Sequence, residues 1–156
     1  MTDIQKIILG AALATFGGIV GKFVSVFVDE WRERRFIKRA IADELTEITS
    51  IIDKFKETYD ATGQLTPTYL KQLTLNMEAY EASRSRLYRI SREKLRYDII
   101  KFYRDLHKNI SDNEGSLGSL NDINDKTEAK NGVISIFSGL KTRATNLKSD
   151  IGNKWF

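Results

Sequence analysis

Cysteine is absent, histidine occurs once, at His107, and proline once, at Pro67. Without cysteine there is no disulfide frame, no thiolate metal site and no cysteine nucleophile, and the chain fits a reducing compartment. One histidine rules out an HExxH zinc motif. A Ser-His-Asp arrangement would rest on His107 alone, which sits on an ordinary amphipathic stretch with no serine in a nucleophile-elbow context. There is no Walker loop, and Gly115 and Gly118 lie in a polar segment that lacks a phosphate-cradling pattern. The carboxylates are dispersed among basic residues and read as surface pairs. The expectation is a protein that is not an enzyme, with no catalytic residue, no metal and no cofactor. The scarcity of proline and of alternating β-branched runs points to helix. The formal net charge of +4 excludes little by itself; where the charge lies matters more.

Long apolar runs are few, but one dominates the amino-terminal part. Ile7 to Val28 reads IILGAALATFGGIVGKFVSVFV, with Lys22 its single charge. A helix of that length spans about 33 Å, the thickness of a bilayer's hydrocarbon layer. It has no polar face of the kind a soluble amphipathic helix carries. A transmembrane helix is the leading reading. A signal peptide would call for a basic start and a small-residue cleavage site, whereas the start here carries Asp3 and Lys6 and the run ends in bulky Phe27 and Val28. A buried core helix is the remaining alternative. The flank after Val28 holds Arg32, Arg34, Arg35, Lys38 and Arg39, which places the carboxy-terminal side in the cytoplasm by the positive-inside rule. Trp31 stands where an interfacial aromatic belongs, and the basic flank suits anionic lipid headgroups. Gly10, Ala14 and Gly18 recur at every fourth position, with Gly17 and Gly21 alongside. That small-xxx-small surface lets helices approach closely in lipid. Lys22 continues the row. It either snorkels toward headgroups about 9 Å away or serves a packing or pore-facing role.

The rest reads as amphipathic helices. Ile37, Ile41, Leu45, Ile48, Ile52, Phe55 and Tyr59 recur at steps of three and four. No glycine or proline interrupts Phe23 to Ala61, so the first helix is expected to run on from the span. Gly63 stops it, and Thr66 and Pro67 start the next as N-cap and first-turn proline. A second helix is expected through Leu70, Leu73, Met77, Tyr80 and Leu87, with Arg84 where an apolar residue is due. A third carries Leu95, Ile99, Phe102, Leu106 and Ile110, either capped by Ser91 or continuous with the second. Ser111 to Asp125 reads as a loop, pinned by Leu117, Leu120 and Ile123. Asp125 and Glu128 resemble a capping box. The last helix runs along Val133, Phe137, Leu140, Ala144, Leu147 and Ile151, and ends at Gly152. The fold expected is all-α: a single transmembrane helix (anchor, 1–29) followed by a cytoplasmic bundle of about four helices (30–156).

Ser83 to Tyr97, SRSRLYRISREKLRY, gathers Arg84, Arg86, Arg89, Arg92, Lys94 and Arg96 with Tyr88, Tyr97 and one acid, Glu93. On one continuous helix, Arg86, Arg89 and Arg96 share a face and Arg84, Tyr88 and Arg92 a neighbouring row. Like charges this dense repel. If a helix begins at Ser91, Arg92 and Lys94 fall in a first turn, where the dipole disfavours cations. A phosphate would relieve both conflicts, since arginine forks and helix-start amides suit it, and the tyrosines can stack on bases. Against this stands a solvated face, or one neutralised by Glu78, Glu81 and Asp98. A lipid or acidic-protein contact is a third option.

The layout of span, WRERRFIKR flank and basic stretch resembles the small CRISPR-associated membrane effectors of type III signalling. The resemblance is one of architecture over the full chain. It implies a homo-oligomer, a tetramer in the family, around a cyclic tetra-adenylate messenger, with arginines meeting the phosphates, no long nucleic acid as ligand, and an activated span that perturbs the bacterial inner membrane in antiviral defence. The alternative is a non-enzymatic membrane-anchored adaptor that recruits a cytoplasmic protein or contacts anionic lipid.

Overall fold

The computed structural model describes residues 2–117, 120 and 127–152; within the first helix, the side chains of residues 5–9, 11 and 12 lie outside the description. The described residues are all helical in their regular structure, with no strand. Helix α1 spans Asp3–Thr62, α2 Pro67–Leu75, α3 Glu78–Ser83, α4 Glu93–Glu114 and α5 Thr127–Gly152, and a 3-10 turn occupies Arg84–Arg89. The chain divides into two units, Met1–Phe36 and Ile37–Phe156.

The second unit holds the core. Ile37, Ile41, Leu45, Ile48, Ile52 and Phe55 of α1 are buried, as the stripe requires. Gly63 ends α1 with φ +66°, the left-handed conformation glycine adopts without a Cβ clash. Its N–H bonds the Tyr59 carbonyl at 2.7 Å, closing the helix as an αL motif. Lys130 Nζ donates to the Gly63 carbonyl from α5 at 3.2 Å, which ties this turn into the bundle. Leu65 buries the link, and Pro67 opens α2 with its fixed φ. Thr66 is the N-cap residue, but its side chain makes no capping bond. Phe55 meets Phe137 edge-on at 5.6 Å and Tyr69 at 5.9 Å, so α1, α2 and α5 converge on one ring. Leu95, Ile99, Phe102, Tyr103, Leu106 and Ile110 bring α4 into the same core.

Three expectations are corrected. The second helix is not continuous: it breaks at Asn76 and Met77 and tightens into the 3-10 turn after Ser83. The buried positions Tyr80, Ser83, Leu87 and Ile90 keep steps of three and four across these breaks, so small Ser83 goes inside and Arg84 outside. Ser91 does not cap α4, nor do the two helices fuse. Ile90 and Arg92 are extended, and Arg92 is the N-cap residue, with no side-chain capping bond. Finally, α4 runs on to Glu114, into the segment expected as loop. Leu117 is buried and Leu120 packs against the core, while Gly118, Ile123 and Asp125 lie outside the described residues.

In the first unit, Leu13, Phe16, Ile19, Val20, Phe23, Val24, Val26 and Phe27 are each half to three-quarters exposed. Among the described residues, no helix is long and apolar enough to cross a membrane. From Leu13 the apolar stretch reaches only Val28 before Asp29 and Glu30, and Lys22 lies within it. Ile7, Ile8, Leu9, Ala11 and Ala12, which extend the run in the sequence, have side chains outside the description.

The aromatic junction gives a direct test. Phe137→Ala is expected to lower unfolding free energy by about 3–5 kcal/mol in urea denaturation. Its neighbour Ile136, nearly half exposed, should tolerate serine at a cost of about 1 kcal/mol or less.

Candidate functional site

The basic stretch folds as the 3-10 turn, an extended link and the first turn of α4. Leu87, Ile90 and Leu95 are buried beneath it, and they turn the charged positions between them outward. The two helical rows expected of the arginines therefore do not form: three residues per turn in the 3-10 segment and the extended link reset their directions. Tyr88, Arg89 and Arg96 do come together. The Arg89 guanidinium lies over the Tyr88 ring, 5.7 Å from its centroid, and its Nε donates to the Tyr88 hydroxyl at 3.2 Å. Arg96 reaches back from α4 and donates to the Tyr88 carbonyl at 3.2 Å. Arg96 thus clips the turn to α4, and Arg89 holds the Tyr88 ring, which stays exposed.

The other candidates are placed separately. Arg84 is exposed and pairs with Glu81 at 3.8 Å, one turn back; such pairs contribute little. Arg86 and Tyr97 are exposed. Arg92 and Lys94 line a cleft of about 70 Å³ with Leu95, Asp98 and Asp150. Two carboxylates therefore face the cations that open α4, and Glu93 sits in the first turn itself, which eases the conflict with the helix dipole. Of the acids expected to neutralise the stretch, Glu81 does so by contact and Asp98 by sharing this cleft. A larger cleft of about 530 Å³ continues between α4 and α5, lined by residues that include Asp98, Lys101, Asp105, Arg143 and Asp150. Arg143 is tied to Asp105 at 3.0 Å across it.

What positions the turn lies deeper. Helix α3 has six residues, and its N-cap, Met77, has no side-chain oxygen to offer. Glu44 of α1 supplies one: its Oε2 accepts from the Ala79 N–H at 2.6 Å and the Tyr80 N–H at 3.2 Å. Glu44 is only 7% exposed. Tyr80 stacks flat on Tyr103 of α4, with ring centroids 4.1 Å apart. Burial raises the Glu44 carboxyl above its usual range. The Tyr103 side chain and the two amides pull it down, and Glu47 pushes it further up. Tyr103 is close enough to act on Glu44, yet neither its hydroxyl nor Glu44 Oε1 completes a hydrogen bond of good geometry. Sequence reasoning missed both residues. The available signal was Glu44 itself, a carboxylate between Ile41 and Ile48 at the steps of three and four that define the buried stripe.

On α1, Gly10, Ala14 and Gly18 are exposed, as is Lys22. At 100° per residue, Gly10, Ala14, Gly17, Gly18, Gly21 and Ser25 share one sector of about 100°, and the eight exposed large apolar residues from Leu13 to Phe27 lie outside it. Lys22 lies at the border of the small-residue sector. A Cβ added at Gly10, Gly17, Gly18 or Gly21 would meet nothing within 4 Å, so this face is open. Trp31 lies under the Arg35 guanidinium at 5.3 Å, and Arg34 pairs with Glu30 at 3.3 Å. His107 is exposed on α4. Among the described residues, no group of three or more His, Cys, Asp or Glu side chains could hold a metal ion.

Removing the clip separates the arginines by role. Arg96→Ala is expected to cost about 1 kcal/mol and to speed amide exchange across the 3-10 turn. Arg84→Ala should change stability by less than about 0.5 kcal/mol and leave exchange unaltered. Urea unfolding with exchange mass spectrometry reads both.

No protein-family model, curated protein or solved structure matches the chain, so the resemblance to CRISPR-associated membrane effectors rests on layout alone.

Proposed function

We propose that this chain is a non-catalytic, membrane-anchored binding protein. The segment from Ile7 to Val28 lies in a bilayer, the helical unit from Ile37 stays on the cytoplasmic side, and the turn carrying Tyr88, Arg89 and Arg96 engages a phosphate-bearing partner. The observation that carries the reading is the exposure of eight large apolar side chains between Leu13 and Phe27. In water that exposure forgoes on the order of 10 kcal/mol of burial, and a contiguous apolar patch of this kind marks an interaction or membrane surface. Lipid covers the bulky side and leaves the small-residue sector for a second copy of the helix. Arg32, Arg34, Arg35, Lys38 and Arg39 orient the span with its carboxy-terminal side inward.

For the ligand we propose a cyclic oligoadenylate-type messenger shared between copies, with the span then perturbing the inner membrane. The cleft at Arg92 measures about 70 Å³, against roughly 300–1,000 Å³ for ordinary small-molecule sites. The adjoining cleft of about 530 Å³ is lined by Asp98, Asp105 and Asp150 and does not suit phosphates; on this reading a ring of several phosphates lies between chains, each bringing its own arginines, which makes the homo-oligomer part of the site. The openness of the turn favours a second reading as well: an adaptor whose arginines rest on anionic lipid or an acidic protein.

Membrane fractions carrying the full chain should retain it through an alkaline carbonate wash, and release into the supernatant would contradict anchoring. Full chain in neutral-lipid nanodiscs should bind a cyclic oligoadenylate more tightly than linear oligoadenylate, and Arg89→Glu should weaken that binding at least tenfold. Equal, weak binding of every nucleotide, together with firm binding to phosphatidylserine vesicles, would replace the messenger with the lipid reading.

A further inference from the structure

We propose that Glu44 is a proton-dependent latch: its carboxyl docks the amino terminus of α3, and with it the arginine turn, against α1 and α4, and holds them less firmly once it loses its proton. The inference does not rest on what the turn binds.

The geometry is that of one carboxyl serving a helix that cannot cap itself. Glu44 Oε2 accepts from the Ala79 and Tyr80 amides, the second and third residues of α3. A six-residue helix does not persist alone, and α3 passes directly into the turn at Arg84. Whatever loosens the grip of Glu44 therefore loosens the placement of the arginines.

The surroundings decide which protonation state grips better. Ala40, Asp43, Glu44 and Glu47 of α1, Leu75 and Asn76 at the end of α2, and Glu78 and Ala79 of α3 line a cleft of about 320 Å³. None of these side chains is cationic. The phenol that acts on the site is Tyr103 on α4, with Tyr80 of α3 stacked on it; both are raised by burial and so remain neutral, and Arg84 and Glu81 act on Tyr80. An ionised Glu44 thus has two amides and the Tyr103 hydroxyl in its favour, and burial and Glu47 against it, and the net effect raises its carboxyl above the ordinary range. A neutral carboxyl keeps its carbonyl oxygen on the two amides and gains a proton to donate from Oε1, an atom that now has no partner. The docked state binds the proton more tightly than the released state, in which Glu44 is an ordinary carboxyl. Docking is therefore strongest below the ordinary carboxyl range. It weakens as pH rises through the raised, docked value, and is level above that.

The test is amide exchange on the full chain in lipid nanodiscs, corrected for intrinsic rates, from about pH 4 to about pH 8. Wild-type protection at Ala79 and Tyr80 should fall with rising pH, roughly tenfold for each unit by which docking raises the carboxyl. In Glu44→Gln the amide oxygen can still accept both N–H groups and the NH₂ can donate toward Tyr103, so protection should persist without that pH dependence. Tyr103→Phe removes a group that favours the ionised form, so its fall should move to higher pH. Flat wild-type protection, the same slope in Glu44→Gln, a Glu44→Gln chain that does not fold, or an unmoved fall in Tyr103→Phe would each overturn the proposal.

Discussion

Burial divides α1 between two surroundings. From Ile37 onward its apolar side chains recur at steps of three and four and disappear into a core shared with α2, α4 and α5. From Leu13 to Phe27 the apolar side chains are as bulky, but they stay half to three-quarters exposed among the described residues. A helix hydrophobic over so wide an arc is stable where its surroundings are apolar too. That constraint separates the two units: the one from Ile37 folds on a core of its own, and the apolar segment before it needs a cover from elsewhere.

Inside that unit, polar groups do the placing and apolar groups the holding. Phe55, Phe137 and Tyr69 join three helices without a polar bond between the rings. The short segments between Gly63 and Arg92, by contrast, are fixed by individual donors and acceptors: Gly63 by Lys130, α3 by Glu44, the turn by Arg96. Each is one or two bonds across elements, modest in net free energy but selective in geometry. The arginine turn sits at the end of this chain of bonds, which makes it the part of the unit most readily shifted by a proton or a ligand.

The sequence made the periodic parts legible. The stripe from Ile37 to Phe55, the stop at Gly63, the start at Pro67 and the last helix through Ile151 were each readable because burial imposes steps of three and four, and because glycine and proline mark the ends. The break after Leu75 was not, since Met77, Tyr80, Ser83, Leu87 and Ile90 keep the same steps whether the backbone between them is α, 3-10 or extended. The arginine rows failed for that reason. Glu44 was hidden differently: an acid among isoleucines looks like an interruption until the uncapped α3 it serves is seen. The meeting of Tyr88, Arg89 and Arg96 depends on the extended link at Ile90 to Arg92, which no spacing announces.

The account stands most directly on the surroundings of residues 13–27, and the absence of native cysteine makes them measurable. Single cysteines placed in turn at Leu13, Phe16, Gly18, Val20, Phe23 and Phe27 of the full chain in native membranes should all resist a membrane-impermeant maleimide, while Arg39→Cys should react. Reaction at several positions between 13 and 27, recurring with a helical period, would mean that water reaches one side of this segment and would contradict the account.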